Sequence, residues 1–226
     1  MIKLSWRIGI VAVLSLVTAL VEAQQSDFQV RAGLQLSGNL SLKTKWDIET
    51  ESRFVENANQ FERIQIQPSI SYRINNLMSV AVGYRFATFF HENENTEFQS
   101  RLNADFSLVK KINSFEFKLR SRCYYDLNDY LLNNQFIVGD LLYRHAFTAE
   151  YNIWGSRWTP SVSFELFHSL NRMDIRNIRQ LRYTGSIDYR LNRKTTLSAY
   201  YFIDKIVNKS YPASNFIFGT NLKYKF

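Results

Sequence analysis

Residues 63–73 read RIQIQPSISYR, and this stretch decides the fold. Ile64, Ile66, Pro68, Ile70 and Tyr72 fall on one parity; Arg63, Gln65, Gln67, Ser69, Ser71 and Arg73 fall on the other. Successive side chains of a β-strand point to opposite faces, so a strict period of two marks a strand with one apolar and one polar face.

The same alternation spreads in both directions. Between Leu40 and Arg53, Leu42, Trp46 and Ile48 oppose Lys43, Lys45, Asp47, Glu49 and Glu51. Leu102, Ala104, Phe106 and Leu108 oppose Arg101, Asn103, Asp105 and Ser107, and Phe117, Leu119, Cys123 and Tyr125 oppose Glu116, Lys118, Arg120 and Arg122. Leu181, Tyr183, Gly185, Ile187 and Tyr189 oppose Arg182, Thr184, Ser186, Asp188 and Arg190. Helical spacing is absent beyond residue 23. Short polar turns at Ser37–Asn39, Ile74–Leu77, Lys110–Ser114, Asn152–Arg157 and Leu191–Lys194 alternate with longer loops at Val55–Gln60, Thr88–Thr96, Asp126–Gln135, Ser169–Asn177 and Lys205–Ala213. Strands of about ten residues joined in a short-long rhythm fit an outer-membrane barrel with tight periplasmic turns and longer external loops.

Aromatic placement points the same way. Tyr72, Phe115, Tyr151, Trp158, Tyr189, Tyr224 and Phe226 lie near short turns; Phe86, Phe98, Tyr125, Tyr183 and Tyr201 lie near long loops. Two such belts are what the two interfaces of a bilayer select, whereas the core of a soluble β-sandwich has no reason to sort them. In hydrocarbon every backbone polar group must be paired within the protein, so a spanning sheet has to close. The charged parity then faces the lumen. The expectation is an all-β, closed antiparallel transmembrane β-barrel of 10–12 strands, residues 24–226, preceded by a signal peptide. About eleven runs can be counted. An even number is expected of a bacterial barrel, so either Phe28–Leu36 lies outside the wall, giving ten, or one run is split, giving twelve. Pro68 in mid-strand predicts a β-bulge.

The chain of 226 residues carries 28 Lys and Arg against 20 Asp and Glu, for a net charge of +8. Apolar residues are 46% and charged residues 21%, too apolar for disorder and too charged for a helical membrane bundle. A mean hydropathy of −0.26 is no objection, because alternating faces cancel. Residues 1–23 read as a signal peptide: Lys3 and Arg7, an apolar run from Ile8 to Val21, and a small-residue junction at Val21-Glu22-Ala23. That run is short for a spanning helix, so cleavage near Ala23 and residence in the Gram-negative outer membrane are expected. Loss of Lys3, Arg7 and Glu22 leaves 26 basic and 19 acidic residues, so the mature chain keeps +7. With Cys123 alone, no intrachain disulfide forms.

The candidate functional residues are the lumen-parity charges Lys43, Lys45, Arg53, Arg63, Arg73, Arg85, Arg101, Lys118, Arg120, Arg122, Arg144, Glu150, Glu165, Arg182, Asp188 and Arg190. They form either a path for a small anionic solute or a salt-bridged filling that stiffens a narrow barrel. The expected partners are outer-membrane lipid, the barrel-insertion machinery through the final strand ending at Phe226, and a small anion; no cofactor or metal is expected. An enzyme is not expected. The alternative, an outer-membrane lipid-modifying hydrolase, needs a Ser with a His base in reach. His145 shares parity with Tyr143 and Phe147; His168 lies outward near a rim between Leu166 and Leu170, with no Ser beside it along the chain. A dyad across strands stays open. His91, Glu92, Glu94 and Glu97 could hold a surface cation, and the long loops could serve adhesion. Nucleic-acid binding is set aside, because the basic residues lie opposite the aromatics rather than among them.

The strand phrases Ile70–Arg73 (Ile-Ser-Tyr-Arg), Gly83–Phe86 (Gly-Tyr-Arg-Phe), Phe117–Arg122, Leu142–Arg144, Phe164–Phe167 (Phe-Glu-Leu-Phe) and Arg179–Leu191, in this order, resemble the Gram-negative outer-membrane barrels grouped as domain of unknown function 2490. The resemblance covers essentially the mature chain and includes Arg-bearing strands and a Glu at the position of Glu165. It implies a barrel fold and an outer-membrane address, and it transfers no catalytic residue.

Overall fold

The computed structural model describes residues 25–90, 96–127, 141–169, 178–207 and 213–226. The segment 1–23, read from the sequence as a signal peptide with its junction at Ala23, and His91, Glu92 and Glu94 lie outside them. Eleven strands form one closed barrel. They are β1 (Gln25–Asn39), β2 (Thr44–Val55), β3 (Gln60–Arg73), β4 (Met78–Phe89), β5 (Glu97–Ile112), β6 (Phe115–Asp126), β7 (Leu142–Tyr151), β8 (Trp158–Ser169), β9 (Ile178–Arg190), β10 (Thr195–Ile206) and β11 (Ala213–Lys225). Each pairs antiparallel with its neighbours in sequence.

The closing seam corrects the sequence reading. β1 lies in the wall and pairs in parallel with β11, in an unbroken register from Gln25↔Ala213 to Ser37↔Lys225. An odd count makes the first and last strands run the same way, so the barrel is neither ten- nor twelve-stranded nor wholly antiparallel. Barrels with an odd strand number are known outside the bacterial single-chain class.

Two further expectations give way. Residues 55–60 hold no long loop: β2 and β3 meet through 56–59, where Glu56, Asn57 and Ala58 adopt left-handed φ of 53°, 57° and 65°. β1 holds this turn, with the Asn57 N–H donating to Asp27 Oδ1 at 2.9 Å and the Ala58 N–H to the Phe28 carbonyl at 3.1 Å. Pro68 carries no bulge. Its ladder with β2 runs through in register, while the ladder with β4 skips Gln67 and Pro68 without slipping. The missing donor is absorbed by one interrupted rung, and the bulges lie at Arg53/Phe54 and Phe167/His168 instead.

At the short-turn mouth, turns 40–43, 74–77 and 191–194 share one device. Asn75 Oδ1 accepts the N–H groups of Leu77 and Met78, and Asn192 Oδ1 those of Lys194 and Thr195, all at 2.8 Å; Ser41 Oγ does the same for Lys43 and Thr44. A polar side chain folded onto the backbone two and three residues ahead replaces the strand ladder where it ends. Lys43 therefore sits in a turn rather than on a strand.

The outward parity is apolar and uncovered: Val82 is 64%, Val162 63% and Phe98 58% exposed. The inward parity holds the charges. Aromatic pairs circle both rims, with Phe115 on Tyr151, Trp158 on Tyr189 and Trp46 on Phe226 at the short-turn mouth, and Phe86 on Phe98 toward the other.

Candidate functional site

Strand register brings the arginines to one level. Arg53 stands opposite both Arg31 and Arg63, Arg85 opposite Arg101, and Arg122 opposite Arg144. With Arg120 and Arg182 these line a chamber of about 620 Å³ toward the long-loop mouth. Like charges directly across a ladder repel, and carboxylates one step away offset that repulsion. Glu51 lies 3.6 Å from Arg31, 3.4 Å from Arg53 and 3.9 Å from Arg63. Asp105 takes a bidentate pair from Arg122 at 2.6 and 2.7 Å, and Asp204 takes one from Arg182 at 2.6 and 2.8 Å. Asp126 pairs with Arg101, and Glu165 bridges Arg144 and Arg182.

These bridges run between adjacent strands or, for Arg53 and Glu51, along β2, so they line the wall and leave the chamber open. Arg85 gives its Nε–H to Gln67 Oε1 at 3.0 Å. Among the described residues neither Arg85 nor Arg120 has a carboxylate within ion-pair distance, Glu51 facing Arg85 and Glu165, Asp105 and Glu49 facing Arg120 only from further off, and both line the cavity. Below the chamber the lumen narrows around the buried inward side chains of Gln67, Ser107, Ala146 and Ser198.

Aromatic rings fix several of these arginines. Phe202 carries Arg182 at 4.2 Å and Arg31 at 4.8 Å; Phe167 carries Arg144 and Arg182 at 5.1 and 5.2 Å; Tyr124 carries Arg101 at 4.5 Å and Phe89 carries Arg63 at 5.2 Å. Cation–π contact holds a guanidinium by its face and leaves its in-plane N–H groups for anions. The sequence reading placed aromatics and basic residues on opposite faces. These rings stand on the lumen parity, and parity counting applied to Phe89, Tyr124 and Phe167 would have shown it.

The remaining sequence candidates lie below the chamber. Lys43, Lys45 and Arg73 surround a second cavity of about 440 Å³ at the short-turn mouth, together with Lys111 and Glu116. Lys118 is inward between the two levels. Glu150 stands opposite Glu116, Asp188 accepts from Lys223 Nζ at 2.8 Å, and Arg190 ends β9 exposed at the rim.

The structure also pairs residues that a reading along the chain keeps apart. Ser121 on β6 stands opposite His145 on β7, with Ser121 Oγ 2.9 Å from His145 Nδ1. Both are on the outer wall. The His168 ring stacks on that of His145 at 5.3 Å and 22°, and Tyr143 lies 5.0 and 5.5 Å from the two imidazoles. The available signal was Ser121 itself, a polar residue interrupting the apolar parity of Phe117, Leu119, Cys123 and Tyr125. Among the described residues no cluster of three His, Cys, Asp or Glu could hold a metal.

A closed β-barrel with an arginine-lined interior and an apolar exterior is the class this geometry defines. Residues 28–215 match the family described as Protein of unknown function (DUF2490), and the chain belongs to that family. No curated protein matches it.

Proposed function

We propose that the protein is an outer-membrane barrel whose arginine girdle takes up small anionic solutes and passes them through a narrow lumen. The observation that carries this reading is the chamber of about 620 Å³ ringed by arginines from eight strands, two of them with no carboxylate of the described residues within ion-pair distance. Rings of Arg and Lys favour anions in pores. A girdle in which every arginine is ion-paired along the wall would be structural only, and Arg85 and Arg120, which have no ion pair among the described residues, separate the two cases. The basic vestibule of Lys43, Lys45 and Arg73 continues the same sign to the other mouth. Membrane residence is supported by the uncovered apolar wall and the two aromatic belts. A water-soluble protein rarely leaves a continuous apolar surface of this extent bare.

Planar-bilayer recording across a KCl gradient tests this reading. The expected result is a small conductance whose reversal potential reports chloride preference. Arg85→Gln combined with Arg120→Gln should lower that preference several-fold without changing the barrel's gel mobility. Absence of current from the reconstituted wild type, or cation preference, would overturn the passage reading.

A further inference from the structure

The outer wall carries a polar seam that the lumen chemistry does not use. Ser121, His145 and His168 occupy the outward parity of three adjacent strands whose other outward residues include Leu119, Phe147 and Phe164. Ionisable side chains that face a bilayer are rare and mark function when they occur. The Ser121 contact occupies one nitrogen of His145, while His168 Nδ1 has no partner among the described residues, so within them the seam is not a closed structural network.

We propose that Ser121 and His145 form a lipid-facing site that hydrolyses acyl esters of outer-leaflet lipids. The inference shares with the transport reading only the placement of the outer wall in a bilayer, and it does not depend on whether ions cross the lumen. A hydroxyl 2.9 Å from an imidazole nitrogen is the pairing that activates serine for acyl transfer. Depth decides which bond it can reach. Tyr143 is the second residue of β7 and His168 the penultimate residue of β8, so both stand at the long-loop rim. His145 is two residues further in, about 5 Å deeper for a rise of ~3.3 Å per residue and a strand tilt of ~40°. Tyr151, in the opposite aromatic belt, is about 15 Å further on by the same geometry. The pair therefore lies just beneath headgroup level on the long-loop side, where acyl ester carbonyls reside.

In the first step Ser121 Oγ bonds to the acyl carbonyl carbon while its proton passes to His145 Nδ1. The ester C–O bond then breaks, and His145 returns the proton to the departing alcohol oxygen. A water molecule from the interface attacks the acyl-serine, His145 takes its proton, and the fatty acid leaves as Ser121 regains its hydrogen. The net change is ester plus water to acid plus alcohol, with no redox step. Backbone N–H groups in the wall are consumed by the ladder, so the donors for the developing oxyanion have to be side chains. His168 and Tyr143, in ring contact with His145, supply an N–H and an O–H there.

The test reconstitutes the full chain into vesicles of phosphatidylethanolamine and phosphatidylglycerol, and separately into the same vesicles with added lipopolysaccharide, and measures fatty-acid release by mass spectrometry. Release from the first identifies phospholipid as substrate; release only from the second identifies the lipopolysaccharide acyl chains. Ser121→Ala and His145→Ala should each lower the rate at least 10³-fold, and His168→Phe, which keeps the stack and removes the N–H, about 10²-fold. A fluorophosphonate applied to the wild type provides a readout independent of variant folding, with the adduct expected on Ser121. No fatty acid from either vesicle together with no adduct on Ser121 would overturn the proposal. So would turnover retained by Ser121→Ala. A catalytically silent wild type that elutes as a dimer would make the seam a subunit contact and overturn it equally.

Discussion

Gly219 faces the lumen from β11 against the ring of Tyr200 on the neighbouring β10, and a Cβ at this position would fall inside that ring. The glycine is required by close approach, since its φ is ordinary. Tyr200 lies across the bare backbone and helps seat the wall of the chamber. Gly219→Ala should therefore cost about 1–3 kcal/mol by overpacking, read as a lower urea midpoint for the refolded barrel. Tyr200→Leu in the same background should recover most of it. An unchanged midpoint in Gly219→Ala would show that the ring moves aside freely. At this scale the sequence was partly legible. Parity put Arg63, Arg85, Arg120 and Arg144 on one face, because parity is local. Which carboxylate each arginine meets, and that Tyr200 covers Gly219, depend on register between strands, which no single strand encodes. The same limit hid Ser121 from His145, residues 24 apart in the chain and opposite each other in the wall.

Register between strands is also where the sequence reading met its largest correction. Eleven runs can be counted, and the even number usual in such barrels implies either that Phe28–Leu36 lies outside the wall or that one run is split. The wall closes instead by a parallel pair in which partners differ by a constant 188 positions, as in Gln29↔Ile217 and Gln35↔Lys223. A parallel ladder forms slanted, evenly spaced bonds with slightly less stability per residue. Here it spans thirteen partners, which offsets that weakness by length. The difference between parallel and antiparallel closure can be read by cross-linking in a Cys123→Ser background. Gln29→Cys with Ile217→Cys, and Gln35→Cys with Lys223→Cys, should each oxidise to a disulfide seen as a reducible gel shift. Antiparallel pairing could bring at most one of these two pairs together, and a β1 outside the wall would bring neither. Pro68 and turn 56–59 depart from the sequence expectation for a related reason. A neighbouring strand can absorb one missing rung, and a tight turn held by Asp27 needs no glycine to adopt left-handed backbone.

Across the whole molecule, an odd strand number has a geometric consequence that an even one lacks. β1 starts at the mouth where 56–59 turns, whereas β11 ends at the mouth of turns 40–43 and 191–194, where Phe226 donates its N–H to the Ser37 carbonyl at 2.9 Å. Ser26 and Asn59 thus share one mouth and Lys194 the other, and all three are exposed. If short turns face the periplasm, as in barrels of this kind, the start of β1 belongs on the cell surface. Single cysteines in a Cys123→Ser background distinguish the arrangements in intact cells treated with a membrane-impermeant maleimide. Ser26→Cys and Asn59→Cys should label from outside, and Lys194→Cys only after the outer membrane is permeabilised. Labelling of Asn59→Cys without Ser26→Cys would place the start of β1 at the opposite mouth and remove the parallel seam. Labelling of Lys194→Cys alone would invert the barrel, carrying the arginine chamber to the periplasmic side and the Ser121–His145 seam to the inner leaflet. The orientation of the wall therefore decides which leaflet that seam can reach.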